Sequence, residues 1–151
     1  MEGGREIAGS IEQVVAAGIP VMAHIGLVPQ SVHRLGGYRV QGRQEETARQ
    51  LMADAKAVES AGAFAVVLEA MDPELAGEIT AALSIPTIGI GAGRGCDGQV
   101  LVMGDLVGLS TGQLPKFVKQ YANVLETLTE AVRQYVRDVR GGDFPEEKHE
   151  Y

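Results

Sequence analysis

The sequence feature that most constrains the fold is an unbroken apolar run from Ala63 to Leu68, which leads directly into Glu69. Turn-forming residues bound this run, with Gly62 before it and Asp72-Pro73 after it. Such a run indicates a strand buried on both faces, which is typical of a parallel sheet flanked by helices. Glu69 would then lie at the carboxyl end of the strand, where α/β proteins collect ligands and catalytic groups. A strand-terminal glutamate that only reaches solvent is the alternative interpretation.

The pattern on either side of this strand predicts alternating helices and strands. Apolar residues repeat at helical spacing in three shorter segments and one long one, at 5–17, 45–60, 73–83 and 117–140. Strands are predicted at 20–27, 63–69, 86–93 and 99–105. This alternation indicates a parallel sheet with right-handed crossovers. Because a (β/α)8 barrel needs eight strands and typically about 250 residues, the chain is either a small open sheet or part of a barrel.

Composition excludes several classes of function. The chain of 151 residues has a formal net charge of -7 and no Lys/Arg cluster, which argues against nucleic acid or an anionic membrane as the main partner. No apolar stretch approaches the length of a membrane span and no signal peptide is evident, so the cytoplasm is the expected location. The single cysteine, Cys96, agrees with a reducing compartment. We expect one domain over residues 1–142, followed by a loose tail over 143–151.

Polar side chains lie at the ends of three predicted strands and could converge on one site. These are His24, Glu69 and Asp105. A hydrogen-bonded core histidine and a turn-capping aspartate are the alternative interpretations for His24 and Asp105. Glu2, which precedes Gly3-Gly4, is either a fourth member of this group or part of a frayed end.

Two loop segments have features of binding loops. The glycine-rich segment 89–93 does not match the dinucleotide fingerprint G-x-G-x-x-G, because Arg94 and Cys96 stand where its third glycine would be. Its glycines are expected to let a ligand or a neighbouring strand approach the backbone closely. The polar segment 28–43 has the length of a lid or binding loop and would lie on the same face as Glu69.

A series of motifs in the chain, taken in order, resembles ketopantoate hydroxymethyltransferase. The similarity extends from Glu2 to near the C-terminus. The motifs are PVMAHIGLVPQSV at 20–32, GGYRVQGR at 36–43, VLE at 67–69, IGIGAG at 88–93, DGQVLVM at 97–103 and PKF at 115–117. The resemblance implies a (β/α)8 barrel that transfers a hydroxymethyl group from 5,10-methylenetetrahydrofolate to 3-methyl-2-oxobutanoate, a step of pantothenate synthesis.

The same resemblance implies roles for individual residues. Glu69 matches the proton acceptor of the family, and Glu2 matches a magnesium-ligand glutamate. Apart from the resemblance, His24 is expected to lie near the substrate because of its position close to a strand end. A Mg²⁺ ion chelated by the 2-oxo acid would act as a Lewis acid and stabilise an enolate. A carboxylate sheltered from water would remove the proton best near neutral pH. A homo-oligomer is also expected.

The sequence departs from the family pattern in its extent. The first four strands of the family, two aspartates of its magnesium and substrate site, and its substrate-binding lysine have no counterpart after Met1. The chain is therefore expected to form the C-terminal part of the barrel, with about four parallel strands, flanking helices and a long C-terminal helix. We expect the isolated chain to be weakly active or inactive.

Two other interpretations stay open. The chain could be a non-catalytic half-barrel that pairs with itself or with a separate N-terminal half, which would cover exposed sheet edges. It could also catalyse a different magnesium-dependent reaction of an oxo acid, as related barrels do.

Overall fold

The computed structural model describes residues 1–28 and 39–151 of the chain. These residues form two compact units, Met1–Val100 and Leu101–Tyr151. The predicted binding loop at 28–43 lies largely outside the described residues. None of the helices in the described part of the chain has both the length and the apolar character that crossing a membrane requires.

The first unit alternates helices and strands as the sequence predicts. Its strands are β1 (Met22–Gly26), β2 (Ala65–Glu69), β3 (Thr87–Ile90) and β4 (Gly98–Gln99). A 3₁₀ turn at Arg5–Ile7 leads into helix α1 (Ala8–Ala16), and α2 (Glu45–Ser60) and α3 (Pro73–Ala82) connect the strands. The second unit contains the short helix α4 (Met103–Leu106), the long helix α5 (Val124–Gly141) and a 3₁₀ turn at Glu147–His149.

The sheet contains four parallel strands in the order β1-β2-β3-β4. The chain start extends it on the far side of β1, since Glu2 forms a parallel bridge with His24 and the Gly3 amide donates to the His24 carbonyl at 3.0 Å. The fold class is therefore α/β with four parallel strands, flanking helices and a long C-terminal helix, which confirms the prediction.

The two faces of the sheet differ in burial. One face is buried among residues of α1, α2 and α3, and it presents Ala23, Ile25, Val66 and Leu68. On the opposite face, His24, Val67 and Glu69 are only partly buried. The expectation that β2 is buried on both faces therefore holds fully for one face, and on the other face it holds for Ala65, at the start of the strand. Candidate site residues lie on the less buried face.

Local sequence signals explain how α3 and β3 are placed. The Asp72 side chain caps α3 by accepting a hydrogen bond from the Glu74 amide at 3.1 Å, and Pro73 occupies the first turn. At the start of β3, the Asp97 carboxylate accepts hydrogen bonds from the amide and the hydroxyl of Thr87, at 2.8 and 3.1 Å. Because Thr87 is fully buried, this carboxylate provides its amide with an acceptor, and the Thr87 hydroxyl also lies 2.8 Å from that of Thr80.

The predicted fourth strand is wrong in its extent, and so is the position of Asp105. Pairing stops after the Val100 amide donates to the Gly89 carbonyl, since β3 ends at Ile90 and the chain turns at Gly91. The apolar residues that follow pair with no strand in the described part of the chain, and Val102 is 58% exposed. Asp105 lies in α4, in the second unit, and not at a strand end.

The long C-terminal helix begins later than its apolar spacing predicts. Asn123 caps α5, so the apolar residues Phe117 and Tyr121 precede the helix. The Tyr121 amide instead donates to the Leu106 carbonyl at 2.8 Å, which aligns this segment with the end of α4. The predicted stop is confirmed, since α5 ends at Gly141 and Gly142 adopts the left-handed conformation.

Candidate active site

Two of the predicted site residues, His24 and Glu69, lie side by side on the less buried face of the sheet. The His24 Nε2 is 3.0 Å from the Glu69 Oε2, and each side chain is 18% exposed. The strand register aligns Glu69 with Gly26, two residues beyond His24, so both side chains point to the same face. Parallel pairing of β1 and β2 therefore creates this contact.

The His24 ring nitrogen is close to the carboxylate without a well-aligned hydrogen bond. Within the described part of the chain, the buried Nε2 atom has no hydrogen-bond partner. The contact with Glu69 is therefore a close polar approach at 3.0 Å. Buried polar atoms usually have a partner, and the Glu69 carboxylate is the polar group that lies beside this nitrogen.

Glu2 shares the surroundings of this pair. Its bridge to His24 places it on the neighbouring row of the sheet, and its negative charge contributes to raising the pKa of Glu69. The structure therefore brings together Glu2, His24 and Glu69. Asp105, the other candidate at a predicted strand end, belongs to the second unit.

The Glu69 carboxyl is a stronger base than an ordinary glutamate. Burial is the largest cause, because it disfavours the charged form and raises the pKa. The nearby Glu2 carboxylate acts in the same direction, whereas His24 opposes the rise. A carboxylate with a raised pKa is better matched to proton abstraction near neutral pH.

Two glycines and an ion pair fix the segment that carries Glu2. Gly3 has a φ of 130°, a conformation that side-chain-bearing residues rarely adopt. A Cβ on Gly4 would lie 2.6 Å from the Asp54 Oδ1 of α2, so this position has no room for a side chain. The Arg5 amide and Nε both donate to the same Asp54 oxygen, at 3.2 and 2.8 Å. The sequence alone did not indicate Arg5 or Asp54, since 49 residues separate them.

The backbone after Glu69 is unusual as well. Ala70 has a φ of 46° and is the one non-glycine residue with a positive φ in the described ranges 1–28 and 39–151. Its amide donates to the Ile90 carbonyl at 2.9 Å, and its carbonyl accepts from the Gln41 amide at 2.7 Å. No signal in the sequence indicates this conformation, because alanine has no preference for it.

Comparison with known proteins identifies the family. The sequence model of the family described as ketopantoate hydroxymethyltransferase matches residues 1–147. The chain belongs to this family. The family resemblance predicted from the sequence motifs is thus confirmed.

Relatives named 3-methyl-2-oxobutanoate hydroxymethyltransferase match the whole of this chain. The protein of Geotalea uraniireducens is 57% identical over 151 residues, which are 57% of its own length. The protein of Carboxydothermus hydrogenoformans is 56% identical, with 55% of its length covered, and that of Chlorobaculum tepidum is 53% identical, with 54% covered. The chain therefore spans somewhat more than half the length of these ketopantoate hydroxymethyltransferases.

A cavity adjoins the site of this ketopantoate hydroxymethyltransferase family member. Its volume is about 620 Å³, and Glu2 and Gly26 border it together with Gln50 and Asp54 of α2. A cavity of this size admits a small organic acid. Among the described residues, no group of three or more His, Cys, Asp or Glu side chains is arranged to hold a metal ion.

Proposed function

We propose that this chain carries the proton-accepting part of a 3-methyl-2-oxobutanoate hydroxymethyltransferase, with Glu69 as the base. The observation that supports it most directly is the partly buried carboxylate of Glu69, which lies beside the ring of His24. Burial raises the pKa of this carboxylate. Glu69 would take the proton from C3 of 3-methyl-2-oxobutanoate, and the electron pair of that C–H bond would form the enolate. The enolate carbon would then bond to the one-carbon unit of 5,10-methylenetetrahydrofolate, whose two C–N bonds break. Water would supply the hydroxyl group of the product, and tetrahydrofolate would leave with a proton on each of the two nitrogens.

His24 is proposed to lie against the substrate. Its Nε2 is buried and has no hydrogen-bond partner within the described part of the chain, and it lies 3.0 Å from the proposed base. A substrate oxygen beside Glu69 would therefore be within its reach. This contact would orient C3 toward the carboxylate, and orientation of reacting groups contributes strongly to rate.

Mg²⁺ is proposed as the cofactor, with Glu2 as one of its ligands. Oxygen donors suit this ion, and it often retains several waters while binding one or two carboxylates and the substrate. However, the described residues contain no group of three or more acidic, histidine or cysteine side chains that could hold a metal. They do not complete a magnesium site, so we derive no catalytic step through the ion.

The sheet is proposed to be part of a (β/α)8 barrel, with residues 1–142 as one domain and 143–151 as a tail. Two observations support a barrel: the four strands are parallel, and the relatives are nearly twice as long as this chain. A cytoplasmic location and a homo-oligomer are proposed with it.

A non-catalytic half-barrel is the second candidate. It is favoured by the uneven burial of the sheet, since Met22 on the less buried face is 38% exposed while parallel sheets are usually covered on both faces. Such a chain would pair with itself or with a separate N-terminal half.

Exchange of the C3 proton of 3-methyl-2-oxobutanoate for deuterium, followed by NMR with and without Mg²⁺, tests the proposal. The chain is expected to accelerate exchange over a protein-free blank, and Glu69→Gln is expected to return the rate to the blank. Glu78→Gln, on the exposed surface of α3, serves as the matched control and should behave as the parent. Exchange that survives in Glu69→Gln refutes the base, and a folded parent without exchange favours the half-barrel.

A further inference from the structure

The left-handed conformation of Ala70 lies directly after the proposed base. Alanine at a φ of 46° is strained, because its Cβ crowds the backbone in this region. Strained residues persist only where the surrounding structure forces them, and they concentrate at functional sites.

Backbone hydrogen bonds on either side hold the turn from Glu69 to Asp72. The Leu27 amide donates to the Glu69 carbonyl at 2.9 Å, and the Ala70 amide donates to the Ile90 carbonyl at 2.9 Å. The Gln41 amide donates to the Ala70 carbonyl, and the Gln41 carbonyl accepts from the Asp72 amide, at 2.7 and 2.9 Å. Segments that are distant in the sequence therefore hold one peptide on each side of the strained residue.

Side-chain packing fixes the same turn from both of its ends. Met71 is 1% exposed and belongs to the core, and Asp72 caps α3. Gly26 has a φ of 98°, and a Cβ there would overlap the Glu69 carbonyl oxygen. Only a glycine at position 26 lets β1 approach the Glu69 carbonyl so closely. This close approach holds the carbonyl in place, and the Glu69 side chain projects beside His24.

We propose that Ala70 is a positioning residue whose left-handed backbone fixes the direction in which the Glu69 carboxylate leaves β2. A glutamate side chain has several rotatable bonds, and its attachment point must be fixed for the carboxylate to meet a small substrate in one geometry. The inference rests on the proposed role of Glu69 as base. Ala70 itself contacts no reacting atom.

Ala70→Gly is the informative variant, because glycine adopts the same φ without strain and also many other backbone conformations. The midpoint of chemical denaturation is expected to stay at or above that of the parent. The maximal rate of C3 proton exchange is expected to fall about 10-fold, since misplacement of a catalytic group by about 1 Å costs as much as 100-fold. The substrate concentration at half-maximal rate should change less than about 2-fold.

Two further variants separate positioning from a general effect on the fold. Ala70→Asn is expected to keep at least about half of the parent rate, because asparagine tolerates the left-handed region. Ala17→Gly makes the same chemical change at an exposed site before β1 and should leave the exchange rate unchanged. If Ala70→Gly exchanges as fast as the parent, or loses rate only together with its denaturation midpoint, the positioning role is refuted.

A measurement that does not require activity distinguishes this inference from the proposed function. The nuclear Overhauser effect between the His24 ring protons and the Glu69 side-chain methylenes reports their proximity. It is expected to fall to less than about half in Ala70→Gly and to persist in Ala70→Asn, by the same difference in backbone freedom. An absence of exchange in the parent would count against the proposed function alone, whereas an unchanged Overhauser effect in Ala70→Gly would overturn the inference.

Discussion

The charge of Glu69 opposes folding, because the native state shelters its carboxylate from water. Burial raises the pKa, so the folded chain holds this proton more tightly than the unfolded chain does. Stability from this group is therefore complete below the ordinary glutamate pKa, near 4.3, and is lost as the pH rises through the raised value. An ionisable side chain whose charge lowers the stability of the folded chain at neutral pH is a candidate for a functional residue.

Glu69→Gln tests this cost. The variant is expected to have a larger free energy of unfolding than the parent at pH 7, and the two should converge below about pH 4, where the parent carboxyl is protonated. Denaturant titrations of both proteins at the two pH values measure the difference. Equal stability at pH 7 would show that the carboxylate is solvated well enough to ionise without cost.

Gly4 and Gly9 form a matched pair for testing the segment that carries Glu2. Gly4→Ala is expected to lower the free energy of unfolding by about 1–3 kcal/mol, since the new Cβ displaces Asp54 and disturbs its ion pair with Arg5. Gly9→Ala, in α1 with open space around it, is expected to raise stability by roughly 0.5–1 kcal/mol. Urea titrations compare them, and a neutral Gly4→Ala would contradict the close packing of this segment on α2.

Single residues also show where sequence interpretation succeeds. Glu69 and His24 were predicted from strand ends, and parallel pairing brings such positions together as a matter of geometry. The roles of Arg5, Asp54 and Ala70 depend on contacts between distant parts of the chain. Local sequence patterns do not indicate such contacts. The roles of Glu69, Glu2 and His24 are proposals, and the Glu69→Gln and Glu2→Gln variants test the first two.

At the scale of elements, local patterning predicted α2 and α3 well, because their amphipathic faces and end signals are contained within each segment. It failed for residues 99–105, of which Gln99 alone belongs to β4 while the last three begin the short helix α4. Strand extent depends on a partner, and β3 is only four residues long. It also failed before Asn123, where apolar residues at helical spacing follow the end of α4.

The connection between β3 and β4 is held at its base by Thr87 and Asp97. Asp97→Ala is expected to lower the free energy of unfolding by about 1–3 kcal/mol, because it leaves the buried amide and hydroxyl of Thr87 without this acceptor. Asp97→Asn retains one oxygen and should lose less. Thermal or urea unfolding of the two variants provides the measurement, and an equal loss in both would show that the negative charge, not the acceptor, matters.

At the scale of the whole molecule, two observations fit the proposed partial barrel. One face of the sheet is less buried than the other, and the chain is shorter than its relatives. The chain spans 57% of its Geotalea uraniireducens relative. Its described residues bring the proposed base, Glu69, near one other carboxylate, that of Glu2, and they include no group of three or more side chains that could hold a metal ion. Magnesium binding by these residues is therefore expected to be weak.

Magnesium binding tests that expectation. Calorimetric titration of the chain with Mg²⁺ near neutral pH is expected to give a dissociation constant no tighter than about 1 mM, since one or two carboxylates replace few of the waters around this ion. Glu2→Gln should weaken any heat signal further. A dissociation constant in the micromolar range for the parent would contradict the incomplete site.

The strand pairing that brings Glu2, His24 and Glu69 close together has a consequence for how this site can change over evolution. Their spacing is set by hydrogen-bonded strand rows about 4.8 Å apart, not by the loops that follow the strands. Loops tolerate insertions and substitutions far better than paired strands do. Substrate preference can therefore diverge in the loops while the arrangement of these three proposed site residues is inherited intact.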